Sequence, residues 1–458
     1  MVATADKLRG AGAPFAPGPR GHFLFGVGQE ATRDPIRFYM RMRRDYGDVV
    51  RMRTLPGFHW HLVSHPEGIE RVLQTNQQNY PKGWLFNKPL SLLVGQGLLT
   101  SEGEFWRRQR RLAQPAFHRQ RIHALGQTMT AAAEIMLERW RGFEKEGRPF
   151  NLAAETTRLT LQIAGLTLCG VDLSAEASRV GSALAVTFEH LNHRMMYPWA
   201  LPEVIPTRRN RRFLRARRLL DGVVYGVIRE RRRRNEDTGD LLSMLLLARD
   251  EETGEGMSDE QLRDEVMTIL IAGHETGAAA LAWAWALLAQ HADVEEKLRA
   301  ELARVLGGRT PTVADLPALP YTKMVFDEVL RLYPPAWGLL RQAKGDDEIG
   351  GYRIPARSPV TVVQYVTHRH PDFWDEPEKF DPERFTPERV AARPKFAYFP
   401  FGGGSRQCIG NSFALMEAQL ALATVAQHFR PRLAGGQTVE EDPTFTLRPR
   451  GGVWVTLN

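Results

Sequence analysis

The stretch Phe401-Gly402-Gly403-Gly404-Ser405-Arg406-Gln407-Cys408-Ile409-Gly410 concentrates residue types able to do chemistry, and an apolar-periodic helix follows it. Its glycines imply tight turns and close approach of the backbone to something flat. Cys408 stands just before the expected helix start, where the dipole and free N–H groups favour a thiolate, and Arg406 adds a cation two residues away. A phosphate cradle would want Lys and Ser/Thr after its last glycine, and Asn411-Ser412 fits that poorly. A redox pair would need a second cysteine nearby, but the other one is Cys169. An inert buried cysteine is the bland alternative. A single thiolate held on backbone donors suits an axial ligand of haem iron.

Three other places carry unusual chemistry. Ala272-Gly273-His274-Glu275-Thr276 interrupts a long apolar segment. Glycine costs ~1 kcal/mol in a helix interior, and a buried carboxylate costs more unless it is partnered. Taken alone, this reads as a packing glycine with Thr276 bonding back to the carbonyl four residues before it. Glu328 and Arg331 are three apart, hence on one helical face, and apolar Val325, Phe326, Val329, Leu330 and Leu332 around them imply partial burial. In Phe105–Arg111, Trp106 and Arg110 share a face at i and i+4; alone, that charge run reads as a solvated face.

The Phe-x-x-Gly-x-Arg-x-Cys-x-Gly spacing from Phe401 to Gly410 resembles, at every fixed position, the haem loop of the cytochrome P450 monooxygenases. With the other motifs in the same order, the likeness covers roughly residues 30–455. It implies that Cys408 ligates the iron of haem b, with Phe401, Gly402 and Gly410 shaping the loop and Ala272 lining the cofactor. It implies that Trp106, Arg110, Arg341 and Arg406 hold the propionates, a task suited to indole and guanidinium donors. Glu275 and Thr276 resemble the family's acid–alcohol pair, relaying protons to dioxygen, the co-substrate. Gly277 departs from the Thr or Ser often found there, and His274 sits at a variable position, a pocket or core residue rather than a ligand. Glu328 and Arg331 resemble the Glu-x-x-Arg motif, and Arg384 its third member, which locks the loop before the cysteine.

The resemblance further implies a mainly α fold with a small β portion, the haem lying between the long central helix and the cysteine-loop helix. One oxygen atom would enter a hydrophobic substrate such as a fatty acid or terpenoid. Pocket walls are expected around Trp84, Leu85, Phe86 and Leu92, in Phe188–Trp199, near Ala272, in Ala336–Leu340 and at Phe445–Leu447. No reductase follows residue 458, so electrons are expected from a ferredoxin or flavodoxin-type donor and its reductase, and ultimately from NAD(P)H. Arg107, Arg111, Arg119 and Arg121 would face that donor. Two rivals are a peroxide-driven peroxygenase of the same fold, against which the intact Glu275-Thr276 pair argues, and a non-catalytic haem sensor.

The elements that must position these residues show in the periodicity. Helices are expected over 65–75, 103–114, 120–144, 151–169, 175–196, 208–235, 258–291, 292–306, 321–333 and 411–429. Two short strands, Asp48–Thr54 and His59–Ser64, flank a turn at Pro56-Gly57, and strands with Pro-rich loops fill 336–400. Val266–Ala289 is apolar enough to suggest a membrane span, but His274 and Glu275 at its centre favour a buried helix capped by Ser258. The chain has 458 residues, 43% of them hydrophobic and 25% charged, which excludes disorder. Length alone suggests about three domains. The motifs strung from Trp106 to Cys408 argue instead for a single P450 domain over 1–458: an extended arm to residue 30, then one catalytic unit. Two cysteines exclude a disulfide scaffold, and without a signal-like start or membrane anchor the expected location is the cytoplasm. The net charge of +8 allows an acidic partner. Arg229 with Arg231–Arg234, ahead of Asn235-Glu236-Asp237, reads as a solvated helix end and not a nucleic-acid site.

Overall fold

A computed structural model describes residues 13–457, apart from 24, 56, 174–175, 198–199, 235–237 and 251–252, and apart from the side chains of 55, 85, 86, 169, 177, 178 and 196. The expected Pro56 turn residue, Trp199, the Asn235–Asp237 helix end and the side chains of Leu85, Phe86 and Cys169 therefore lie outside the described residues. The chain divides into two compact units.

The first unit holds the described residues up to Gly83 with Ala336–Glu378 and Ala392–Cys408. Its frame is a four-stranded sheet in the order Val49–Leu55, Phe58–Val63, Pro359–Val362, Leu339–Gln342. The first pair is antiparallel, as the paired apolar-polar runs suggested; Phe58–Val63 then runs parallel to Pro359–Val362, which pairs antiparallel with Leu339–Gln342. Val49, Val63, Ile69, Val72, Leu73, Val360, Val362, Phe396 and Phe399 form its core. The extended arm is shorter than expected, because a helix already begins at Gly28. A second helix, Pro35–Tyr46, starts where Asp34 accepts from the Arg37 N–H and proline occupies the first turn.

The second unit comprises Trp84–Pro335, Lys379–Ala391 and the described residues from Ile409. It is almost all helix, and the observed bounds follow the expected ones closely: Gly103–Ala113, Leu152–Cys169, Ala177–Met196, Arg208–Arg234, Asp259–Leu288, Ala292–Leu306, Pro320–Leu332 and Asn411–Ala426. The single helix expected over 120–144 is instead two, Arg119–Ala124 and Gly126–Glu146. Gly126 lies so close to Val313 that a Cβ there would sit 2.1 Å from a Val313 methyl. Small β elements close this unit: a sheet of Phe150–Asn151, Trp454–Leu457 and Pro431–Leu433, and the hairpin Glu441–Pro443/Leu447–Pro449.

Asp259–Leu288 is the spine. Ser258 caps it as expected, its hydroxyl accepting from the Gln261 N–H while Gln261 Oε1 accepts from the Ser258 N–H. The helix is long and apolar enough to cross a membrane, yet 72% of its most apolar window is buried inside the protein, the mark of a core helix. Arg231 departs from the solvated helix end expected for its arginine run. It is buried and pairs both guanidinium nitrogens with the two oxygens of Asp240, at 2.6 and 2.7 Å.

Candidate active site

In the first unit, the loop Phe401–Cys408 leaves no room for a side chain at two of its glycines. Gly404 has φ +66°, and a Cβ there would lie 1.9 Å from the Leu73 carbonyl oxygen. A Cβ on Gly403 would enter the Phe396 ring at 2.4 Å. Backbone bonds lock the loop: the Cys408 N–H donates to Phe401 O at 3.0 Å and the Gly402 N–H to Phe399 O at 2.9 Å. The Ser405 N–H and hydroxyl both donate to Gln77 Oε1, at 2.9 and 2.8 Å. Cys408 itself is exposed. This excludes the inert buried cysteine and leaves a thiol presented on a rigid loop. Gly402 packs on Leu339, whose strand carries the buried Arg341; Arg406 ends the single helical turn Gly404–Arg406. Cys408, Arg406, Phe401, Gly402 and Arg341 thus gather in one unit.

In the second unit, burial of the spine helix is unbroken from Leu262 to Ile271 and from Ala278 to Leu288. Between these runs only His274 is buried; Ala272 is exposed, and Gly273, Glu275, Thr276 and Gly277 are half-buried. A helix otherwise sealed in protein therefore opens one face at the residues singled out for oxygen chemistry. The Thr276 hydroxyl donates to Ala272 O at 2.7 Å, the local bond expected of a threonine read alone. Glu275 Oε1 accepts from the Thr446 hydroxyl at 2.9 Å. His274 is buried with neither ring nitrogen hydrogen-bonded, and burial pushes its pKa down, as befits a core residue.

Trp106 is buried and Arg110 half-buried on Gly103–Ala113, beside a cavity of about 720 Å³ that Arg107, Arg111, His118 and Arg121 also line. Of the arginines expected to face a donor, Arg107, Arg111 and Arg121 line this cavity, Arg107 pairing with Glu104 and Arg111 with Asp250 at 2.8 Å, while Arg119 bonds His123. Gly410 is the N-cap of Asn411–Ala426, where its carbonyl accepts from the Ala414 N–H.

The supporting ion pair is fully formed. Arg331 and Glu328, both with no exposed side-chain surface, bond in two places at 2.6 and 2.8 Å. Glu328 Oε1 also accepts from the Asp381 N–H at 2.9 Å, Arg331 donates to Lys379 O at 3.0 Å, and Arg384 Nε lies 3.4 Å from Glu328. The three residues expected to act together are adjacent.

One residue escaped the sequence reading. Glu417, buried on Asn411–Ala426, lies with Oε2 3.2 Å from the position of a Cβ on Gly277, and burial pushes its pKa up to about 8. Its signal was a carboxyl within the apolar run Phe413–Val425, the same anomaly that drew attention to Glu275.

These residues fit a haem. The first unit offers an exposed thiol on a glycine-rich loop that also carries Arg406, with Arg341 on a strand of the same unit; the second offers an opened helix face and an indole–guanidinium pair for carboxylates. The family model described as Cytochrome P450 matches residues 16–455. The chain is 38% identical over 431 residues to cyclooctatin synthase of Streptomyces melanosporofaciens, covering 94% of this chain and 92% of that one. It is equally 38% identical to cyclooctat-9-en-7-ol 5-monooxygenase of the same organism, covering 91% and 89%. It is 34% identical to pentalenene oxygenase of Streptomyces avermitilis, covering 93% and 91%. Among solved structures, the haem domain of cytochrome P450DA superposes with a TM-score of 0.88 at 28% identity, covering 98% of each chain. Retinoic acid-bound cyanobacterial CYP120A1 does so with 0.85 at 29%, covering 98% of this chain and all of that one.

Proposed function

The chain belongs to the cytochrome P450 family and is a haem-dependent monooxygenase, and from that premise we propose that its substrate is a cyclic terpenoid hydrocarbon or alcohol. The observation that carries this reading is 38% identity, over at least nine-tenths of the chain, to a cyclooctatin synthase and a cyclooctat-9-en-7-ol 5-monooxygenase. The family match over 16–455 supports treating the chain as one P450 domain.

When bound, the haem supplies the activation of dioxygen, with a thiolate ligand pushing electron density onto the iron. The protein's own residues then have separate tasks. Cys408, whose backbone N–H donates to Phe401 O, would supply the thiolate ligand to the iron. Trp106, Arg110, Arg341 and Arg406 would hold the propionates as guanidinium and indole donors. Glu275 holds a proton on its carboxyl and Thr276 passes one through its hydroxyl; for that, the hydroxyl must leave Ala272 O, its partner in the resting geometry. Phe188, Phe445 and Ala272 supply apolar surface that keeps water out. Electrons come from NAD(P)H through a ferredoxin or flavodoxin-type protein.

Two measurements test this. Cyclic terpenoids, but not fatty acids of similar size, should shift the ferric spectrum from low to high spin; a preference for fatty acids would sink the substrate class. Thr276→Ala should keep haem and the thiolate-type Soret band of the reduced carbon monoxide complex while product formed per NAD(P)H drops at least several-fold. Unchanged coupling would remove Thr276 from proton delivery.

A further inference from the structure

The turn Thr444–Thr446 joins the strands of the hairpin Glu441–Pro443/Leu447–Pro449, and the spine helix anchors it at two points on one stripe. Trp283 Nε1 donates to Leu447 O at 3.1 Å, and the Thr446 hydroxyl donates to Glu275 Oε1 at 2.9 Å. The next residue back does something different. Phe445 stacks on Phe188 of the helix Ala177–Met196, with ring centroids 5.1 Å apart and planes 12° from parallel. Thr446 is buried, at 2% exposure, whereas Phe445 is half-buried. Phe445 and Thr446 are consecutive in this turn and meet different partners, so a displacement of Phe445 is carried through the shared peptide into the hydroxyl that holds the acid.

We propose that Thr446 is a positioning residue for Glu275, and that the Phe188–Phe445 stack makes its grip respond to a hydrophobic molecule bound beside that stack. The inference rests on the reading of Glu275 as a proton carrier and adds to it the group that aims the carboxyl. Threonine suits the task better than a cation. A lysine or arginine would hold the carboxylate only in its charged form. A hydroxyl donates to a carboxylate and accepts from a carboxylic acid, so one contact persists while the proton comes and goes. Thr446 is the hydrogen-bond partner of the Glu275 carboxyl among the described residues; without it, the acid turns freely on its own torsions. Preorganisation of this kind is lost when a single bond is removed, although nothing that touches the substrate has changed.

The test uses the haem-loaded enzyme with cyclooctat-9-en-7-ol as probe, or with whichever panel terpenoid gives the largest spin shift. Thr446→Val keeps the shape and removes the hydroxyl; Thr446→Ser keeps the hydroxyl; Glu275→Gln is the reference. Thr446→Val should lower product per NAD(P)H about fivefold with the probe's optical Kd unchanged within twofold, and Thr446→Ser should restore it. Backbone amide exchange over 441–449 should change on probe binding in the parent enzyme, and Phe188→Leu should abolish that change. If Glu275→Gln uncouples but Thr446→Val does not, the positioning role is wrong while the proton-carrier reading stands. Full coupling in Glu275→Gln would overturn the carrier reading itself, and the inference with it. Amide exchange indifferent to the probe would remove the link to Phe445.

Discussion

A carboxyl buried without a counter-charge is a costly residue, and Glu417 makes that cost measurable. Burial lifts its pKa from an ordinary 4.5 to about 8, so the folded protein holds a proton on it that the unfolded chain releases far earlier. The sign follows. Between about pH 4.5 and 8 the native state binds more protons than the unfolded state, so this residue makes stability fall as pH rises through that window and level off above it. Glu417→Gln should remove that slope, raising Tm at pH 8 while leaving it nearly unchanged at pH 5. The scale is at most a few kcal/mol at the upper end, since each pKa unit corresponds to about 1.4 kcal/mol. Thermal unfolding of the holoenzyme across that range checks it; parallel Tm curves would mean Glu417 is charged in the fold. The same scale shows why Gly277 is small: a side chain there meets the Glu417 carboxyl at 3.2 Å.

At the scale of elements, Pro320–Leu332 acts through one buried pair. Removing one partner of a buried ion pair strands the other, at a cost of roughly 3–5 kcal/mol. Glu328→Gln should therefore cost several kcal/mol, and Arg331→Leu a similar amount, whereas a conservative change at exposed Lys297, which pairs with Glu383, should cost under ~1 kcal/mol. Denaturant unfolding of the holoenzyme measures all three. The Glu328–Arg331 pair was legible because both ends sit within one helical turn among apolar residues, and most helices were legible because a 3.6-residue stripe persists for ten residues or more. Pro35–Tyr46 and Trp84–Val94 were not read as helices: the first is strongly charged, and the second carries Pro89 in its interior. Thr446 had no local signal at all, because its partner Glu275 lies 171 residues earlier and only the hairpin's placement along the spine helix joins them. The loop of Cys408 was the opposite case. The groups that demand its glycines, Leu73 O and the Phe396 ring, lie outside the loop, but the glycines that make room for them fall within ten consecutive residues and are visible as a cluster.

For the whole molecule, the excess of positive charge bears on the proposed electron donor. Arg107 and Arg121 line one cavity with Arg110. If an acidic donor docks on that face, its reduction of the enzyme should slow about tenfold or more between low and ~0.5 M salt, as screening shortens the reach of these charges to a few ångströms. Arg121→Glu should lower the second-order rate and flatten the salt dependence without moving any substrate-induced spin shift; stopped-flow reduction measures the rates. A rate indifferent to salt and to Arg121 would place the donor elsewhere.

The break in burial along the spine helix has a consequence for how such an enzyme changes over generations. Ala272 is exposed, so enlarging it displaces no packed neighbour in its own unit, whereas enlarging a fully buried residue such as Ala284, on the same helix, overpacks a closed core. Ala272→Val should leave Tm within a degree or two while altering which substrates are accepted, and Ala284→Val should lower Tm without altering preference. Selection on what is oxidised can therefore proceed at Ala272 without drawing on the margin that keeps the chain folded, which leaves the catalytic repertoire free to drift while the scaffold stays fixed.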